Sequence, residues 1–225
     1  MMKTFADNAI DFYNNLQIKS SLPSGSGILN PYDDPAVQVI VTAFFTRFYN
    51  DQRERIILLG INPGRFGAGI TGITFTDPVR LQEVCEIPNN FEKRAELSSR
   101  FIYDVISSYG GCRSFFQRFF LSAVSPLGFV KDGKNLNYYD DRDLEKALGE
   151  FIASTLRDQL HLGIRSDKAV CLGDGRNMKY LDRLNRELKL FGEIIPLPHP
   201  RWIMQYRFKR KEEFIEKYLE VLQNI

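Results

Sequence analysis

Four short apolar runs, each stopped by turn-forming residues and separated by amphipathic segments, constrain this chain more than any other feature. They are Arg55-Ile56-Ile57-Leu58-Leu59-Gly60, Phe119-Phe120-Leu121-Ser122-Ala123-Val124, Ala169-Val170-Cys171-Leu172 and Glu193-Ile194-Ile195-Pro196-Leu197. A continuous apolar run of this length, closed by Gly or Pro, marks a strand buried on both faces. Helices are expected between and around them, over residues 3–18, 35–50, 91–108 (with another turn or two at 114–120), 143–161, after Gly175 to about Leu190, and over about 204–223. In the segment 143–161, Leu144, Leu148, Phe151, Ile152, Leu156 and Leu160 share one face. The stretch Ser20–Pro31 is dense in Ser, Gly and Pro and reads as a loop.

Strands alternating with helices predict an α/β fold, a three-layer αβα sandwich with a central four-stranded, mainly parallel sheet. The expected organisation is a single domain over 1–225, with a helical cover (1–50) and an α/β core (55–205). In such sheets ligands bind beyond the carboxyl ends of the strands. The loops after Gly60, Val124, Leu172 and Leu197 therefore share one rim.

Bulk properties exclude several classes. A formal charge of +2 is too small to argue for nucleic acid, so any DNA-binding face must come from local clustering. Three scattered cysteines, Cys85, Cys112 and Cys171, are too few for a four-thiolate iron–sulfur cluster and do not suggest a disulfide framework. They fit a reducing cytoplasm, as does an N-terminal segment lacking the apolar core of a signal peptide. The longest mostly apolar stretch, Val37 to Phe45, is too short to span a bilayer. The aromatic richness, 18 Phe and 10 Tyr, reads mainly as core packing.

The rim loop after the first strand runs from Gly60 to Phe75 and is rich in glycine. It lacks the Lys-Ser/Thr ending of a phosphate-binding P-loop and the G-x-G-x-x-G order, so a ligand cradle and a plain surface loop both fit its composition. Within it stands Gly60-Ile61-Asn62-Pro63-Gly64, followed by Thr71-Gly72-Ile73-Thr74-Phe75, with thirteen residues from Asn62 to Phe75. After the last strand comes His199-Pro200-Arg201. In order and spacing these three elements resemble the signatures of the uracil-DNA glycosylase superfamily, closest to its single-strand-selective monofunctional branch and to a bacterial subfamily within it.

The resemblance implies a monofunctional glycosylase that removes uracil from DNA as a step of base excision repair and uses neither metal nor bound cofactor. Its partner would be DNA, single-stranded or duplex, and the protein a cytoplasmic, nucleoid-associated monomer. Asn62 would position the attacking water, and His199 would hydrogen-bond a carbonyl of the base. Phe75 would stack on the flipped base, within a wall made by Gly60, Ile61, Pro63 and Gly64. Pro200, Arg201 and Trp202 would sit in a loop that enters the duplex.

Two departures are visible. The branch reads uracil with an Asn at the end of the second strand, before a Pro-Leu pair; here Ser122 is taken for that position, with Ser125 second. A rotatable hydroxyl would read the base more loosely than an amide and would admit xanthine or hypoxanthine, and Ser122→Asn should then narrow the range. The His-Pro-Arg stretch is also shorter than the branch pattern, which favours single-stranded DNA.

Other residues keep two readings. Backbone N–H groups at Gly173-Asp174-Gly175 could hold phosphate, or Asp174 could cap the following helix. Arg207 and Lys209, in Arg207–Lys211, could meet phosphates or form a solvated helix face. Phe66 reads as packing and His161 as a helix C-terminal cap. Asn135 and Asn137 lie in a loop near the pocket without an assigned role. Two rivals remain: a non-catalytic module binding damaged or single-stranded DNA, and an enzyme acting on a free nucleoside or nucleotide.

Overall fold

The computed structural model describes residues 2–225. The sheet is built around β2 (Arg55–Gly60), all of whose residues are buried. β3 (Phe119–Ala123) and β6 (Ile164–Leu172) flank it in parallel, with Leu58 opposite Leu121 on one side and Val170 on the other. β7 (Glu193–Leu197) joins β6, giving the all-parallel order β3-β2-β6-β7. The expected α/β architecture holds: the first three runs supply strands covered on both faces, whereas β7, expected to be buried as well, is an edge strand with Glu193 and Pro196 exposed.

One face of β3 carries Phe120 and Ser122. Phe120 meets Phe5 of α1 (Phe5–Asn14) edge to face at 5.1 Å. Ser122 meets Tyr13 of α1 and Gln159 of α7 (Arg142–Leu160). The opposite face carries Phe119, which meets Tyr109 and Phe115. Phe44, Phe45 and Tyr49 of α2 (Pro35–Tyr49) complete an aromatic layer with Phe5, Phe116 and Phe120. The Arg55 guanidinium is buried in this layer, donating to the Phe116 carbonyl at 2.8 Å and paired with Asp51 at 3.0 Å. Its rings and carbonyls replace the water it gives up. In another helix pair, Phe101 of α5 (Leu97–Ser108) packs against Tyr218 of α10 (Lys211–Gln223) at 5.0 Å.

The structure corrects three expectations. The Ser20–Pro31 stretch contains β1 (Ser26–Leu29), which pairs antiparallel with β4 (Gly128–Lys131), itself paired with β5 (Lys134–Leu136) in a second sheet. The β4–β5 turn is Asp132-Gly133, with φ of 51° and 69°, the left-handed pair a tight hairpin requires. The helix expected over 91–108 begins only at Leu97, and a short α4 (Pro78–Glu83), capped by Asp77, precedes it. The final helix is divided into α9 (Pro200–Tyr206) and α10, with a 3-10 turn at Phe208–Arg210 between them. Pro200 sits at the first helical position, where its missing N–H costs nothing.

Elsewhere, α3 (Ala68–Thr71), α6 (Gly111–Arg118) and α8 (Arg176–Leu188) fill the connections, and His161 stands at the C-cap of α7. Among the described residues no helix is long and apolar enough to cross a membrane.

Candidate active site

The loop leaving β2 is held by side chains from elsewhere in the chain. The Asn62 amide donates to the Leu136 carbonyl at 3.2 Å and to the Pro63 carbonyl at 3.3 Å, and its Oδ1 accepts the Tyr138 backbone N–H at 3.1 Å. Its orientation is therefore fixed by the chain leaving β5. Tyr138 is in turn anchored: its hydroxyl donates to Asn177 Oδ1 at 2.8 Å, and Asn177 Nδ2 donates to the Gly60 carbonyl at 3.3 Å. The four residues close a ring that ties the end of β2 to α8. An amide Oδ1 has two lone pairs, and the one that Tyr138 leaves free can accept a hydrogen from water. Gly128 of β4 completes the support, for a side chain there would stand 2.3 Å from the Pro63 carbonyl oxygen.

Phe75 is held in the left-handed region at φ 56°, a conformation that costs a side-chain-bearing residue about 1–3 kcal/mol. The turn before it is tied by the Thr71 hydroxyl, which donates to the Thr76 carbonyl at 2.6 Å. The twist brings the ring against Gly60 and within 6.1 Å of the His199 ring, tilted by 50°.

His199 is the N-cap of α9, its Nδ1 accepting the Arg201 backbone N–H at 3.1 Å. That bond selects the tautomer with hydrogen on Nε2. Burial, with Arg201 adding to it, lowers the imidazole to about 4, so the ring is neutral near pH 7. A neutral Nε2–H donor results.

Asn62, Phe75 and His199 converge on one cavity of about 570 Å³. Gly60, Ile61, Pro63 and Gly64 line it as expected, and so do Asn135 and Asn137. Asn135 Oδ1 also accepts the Arg65 N–H at 3.1 Å, which pins the loop from the second sheet. Arg65, Lys134, Arg201, Trp202 and Tyr206 make a basic and aromatic surround. Trp202 and Tyr206 are exposed, with Phe208 exposed farther along. Glu96 also lines the cavity, and burial pushes its carboxyl up to about 7, against the pull of Arg201. Sequence reasoning missed Glu96, which carries no motif. It also missed Tyr138 and Asn177, although the turn dipeptide Asp132-Gly133 after Phe129-Val130-Lys131 was a readable hairpin signal for the segment that delivers Tyr138.

Several expected site residues lie elsewhere. Ser122 is fully buried, hydrogen-bonded to Gln159 and, at 3.4 Å, to the Tyr13 hydroxyl, on the face away from the cavity. Its neighbour Ala123 lines the cavity instead, because successive strand residues point to opposite faces. Ser125 spends its hydroxyl on the Leu127 carbonyl at 2.8 Å. Gly173 is buried behind His199, its N–H donated to the Leu197 carbonyl at 2.7 Å, so it has no donor left for phosphate. The loop after β6 thus contributes nothing to the cavity wall, and Asp174 does not cap α8. Pro200 is buried as the first residue of α9, so the stretch expected to enter a duplex is a helix start rather than a free loop. Arg207 and Lys209 are exposed beyond the cavity; Arg207 stacks over Trp202 at 4.9 Å, while neighbouring Lys211 is paired with Asp104. Phe66, expected only to pack, lines the cavity with Arg94 over its ring at 3.6 Å. Among the described residues no group of three or more His, Cys, Asp and Glu side chains is placed to hold a metal ion.

The model of the uracil DNA glycosylase superfamily matches residues 46–223. The chain is also similar to the crystal structure of wild-type Pedobacter heparinus SMUG2, with 44% identity, a TM-score of 0.96, and coverage of 99% of this chain and 98% of that one. No curated protein matches the chain.

Proposed function

Because the chain belongs to the uracil DNA glycosylase superfamily, we propose that it is a monofunctional glycosylase acting on uracil, and on other deaminated bases such as xanthine, in DNA. The observation that carries this reading is the convergence of a fixed Asn62 amide, the Phe75 ring and a neutral His199 donor on one cavity.

A base inside a duplex is out of reach and must be extruded, at a cost of a few kcal/mol. Stacking on the Phe75 face returns about 1–3 kcal/mol of that. The bond from C1′ to the base nitrogen then breaks, and its electron pair leaves with the base. Negative charge grows on the base carbonyl that His199 Nε2–H faces, and a donor placed there is worth about 3–4 kcal/mol. A neutral imidazole suits this role, since it donates without having to lose a proton to the base. Water held by Asn62 Oδ1 bonds to C1′, and its proton ends on the departed base or in solvent. Asn62 orients the water but does not take its proton, so leaving-group stabilisation carries most of the rate. The exposed Trp202 and Tyr206 and the cations around the cavity mouth suit an unpaired strand, whose bases stack and whose phosphates attract.

The test uses labelled single-stranded and duplex oligonucleotides holding one uracil, xanthine or hypoxanthine, incubated in EDTA and then treated with hot alkali. Breaks at the lesion that need the alkali, and that vanish in Asn62→Ala and His199→Ala, support a monofunctional glycosylase and rank its bases. DNA binding without breaks on any substrate would sink the reading.

A further inference from the structure

The wall at the end of β3 is a methyl group, Ala123, which cannot distinguish one base edge from another. Asn62 has both ends of its amide engaged by the chain leaving β5, and His199 has one donor to offer. Several polar side chains lining the same cavity are free of such duties, and Glu96 is the one carboxyl among them. Glu96 immediately precedes α5, and its backbone N–H donates to Asp77 Oδ2 at 2.8 Å. The Asp77 carboxylate also accepts the Val79 and Arg80 N–H groups at the start of α4, so Glu96 is fixed between two helices.

The Glu96 carboxyl lies over the glycines of the loop after β2. A side chain at Gly67 would stand 2.1 Å from Oε2, and one at Gly64 would stand 3.3 Å from Oε1. Both positions are glycine, which leaves the carboxyl its space and its opening to the cavity that Asn62, Phe75 and His199 share. Among the described residues its two carboxyl oxygens accept no hydrogen bond and join no ion pair; only its backbone is engaged, the N–H by Asp77 and the carbonyl by the Arg100 N–H at 3.0 Å. A carboxyl held half-buried on a cavity wall without a protein partner is free to hydrogen-bond a ligand there.

Resting on the glycosylase reading, we propose that Glu96 is a base-recognition residue, whose protonated carboxyl donates to a carbonyl of the extruded base and accepts the neighbouring ring N–H. Deamination creates such an edge by replacing an amino group with a carbonyl. Burial supports the protonated form, raising the carboxyl to about 7. The charged and titratable groups around it are Asp77 ahead of α4, Arg65 and Arg94 on the Phe66 ring, Lys134 of β5, and His199 and Arg201 at the start of α9. Of these, Asp77 raises the carboxyl further and Arg201 opposes it. The ionised form presents two acceptors and repels a base carbonyl.

The experiment is single-turnover base release from uracil-, xanthine- and hypoxanthine-containing oligonucleotides between pH 5.5 and 9, with wild type, Glu96→Gln and Glu96→Ala. Thermal unfolding and affinity for an abasic oligonucleotide are measured alongside. The wild-type rate on its best base should fall about tenfold per pH unit once the carboxyl ionises above about 7. Glu96→Gln keeps a donor and an acceptor at every pH, so it should rescue release and remove the alkaline fall. Glu96→Ala should lose tenfold or more at pH 6 and keep its abasic-site affinity, since that product has no base to read. A Gln variant that keeps the alkaline fall, or that is as impaired as Ala at pH 6, would overturn the assignment, and so would an Ala variant that releases base at the wild-type rate. A wild type that releases nothing from any substrate overturns the glycosylase reading itself, a result distinct from all of these.

Discussion

The ring of Phe75 rests on the α-carbon of Gly60, so closely that a methyl group there would stand 2.8 Å from Cζ. The end of the central strand and the Phe75 ring are thus one unit, and Phe75 holds its left-handed backbone in part because nothing protrudes beneath it. Gly60→Ala should push the ring into the cavity. A steric conflict of this size costs about 1–3 kcal/mol of stability. Base release should fall about 10–100-fold, as expected when stacking worth about 1–3 kcal/mol is lost. Thermal unfolding and single-turnover kinetics on a uracil oligonucleotide read the two effects, and an unchanged rate would refute the stacking role.

Tyr138 does not line the cavity and reaches it through Asn62. Tyr138→Phe removes the hydroxyl bond to Asn177 and leaves Asn177 Oδ1 without that donor in a buried site, at about 1–3 kcal/mol. The Asn62 amide should then wander. The expected signature is a lower rate of release with unchanged affinity for abasic DNA; equal loss in both would make Tyr138 a plain structural residue.

The His199 imidazole sits at about 4, well below the usual 6.5. Above the lowered value the ring is neutral, so its protonation should produce no inflection in base release between pH 5 and 6.5, and an NMR titration should place its change near 4. The stability sign follows from the same shift. Between 6.5 and 4 the unfolded chain binds a proton that the folded one refuses, so stability falls as pH drops through that window. His199→Gln should show a smaller acid loss of thermal stability. Removing the Nε2–H donor with Ala should cost about 10²–10³ in rate.

Ala123, not Ser122, faces the cavity. Ala123→Asn would place a fixed donor and acceptor on the cavity wall and should shift selectivity toward uracil over the bulkier xanthine. Ser122→Asn, by contrast, enlarges a side chain packed between Tyr13 and Gln159 and should lower the unfolding temperature without narrowing the base range. Parallel release assays on the two variants decide this, and a narrowed range in Ser122→Asn alone would reverse the assignment.

Arg207 and Lys209 form no ion pair among the described residues, while Arg210 is paired with Glu213 and Lys211 with Asp104. If both free cations meet phosphates, replacing them with Ala should weaken single-strand binding regardless of sequence. The slope of log K against log salt should shrink by about 1.4, at about 0.7 per phosphate contact. An unchanged slope would leave them as a solvated turn.

By itself the sequence determined the layered α/β fold. The short apolar runs at 55–60, 119–124 and 169–172, each closed by Gly, Ser or Pro, read as buried strands, and that much is a property of local composition; the run at 193–197 read the same way and is a partly exposed edge strand. The sequence also put the loops that carry Asn62 and His199 on one rim, because both follow strand ends directly, while Phe75 was assigned to that site by the resemblance of its motif. Tertiary structure decided the rest. Alternation says that Ser122 and Ala123 face opposite ways; only the packing of α1 and α7 on one side shows which of them meets the cavity. The N–H of Gly173 looked free for phosphate until β7 arrived with the Leu197 carbonyl to accept it. Glu96 and Tyr138 lie 34 and 76 residues from Asn62, counted along the chain, and no local pattern links them to it. Their roles arise where α5 and the β4–β5 hairpin close over the loop after β2, contacts set by long-range burial rather than by sequence period.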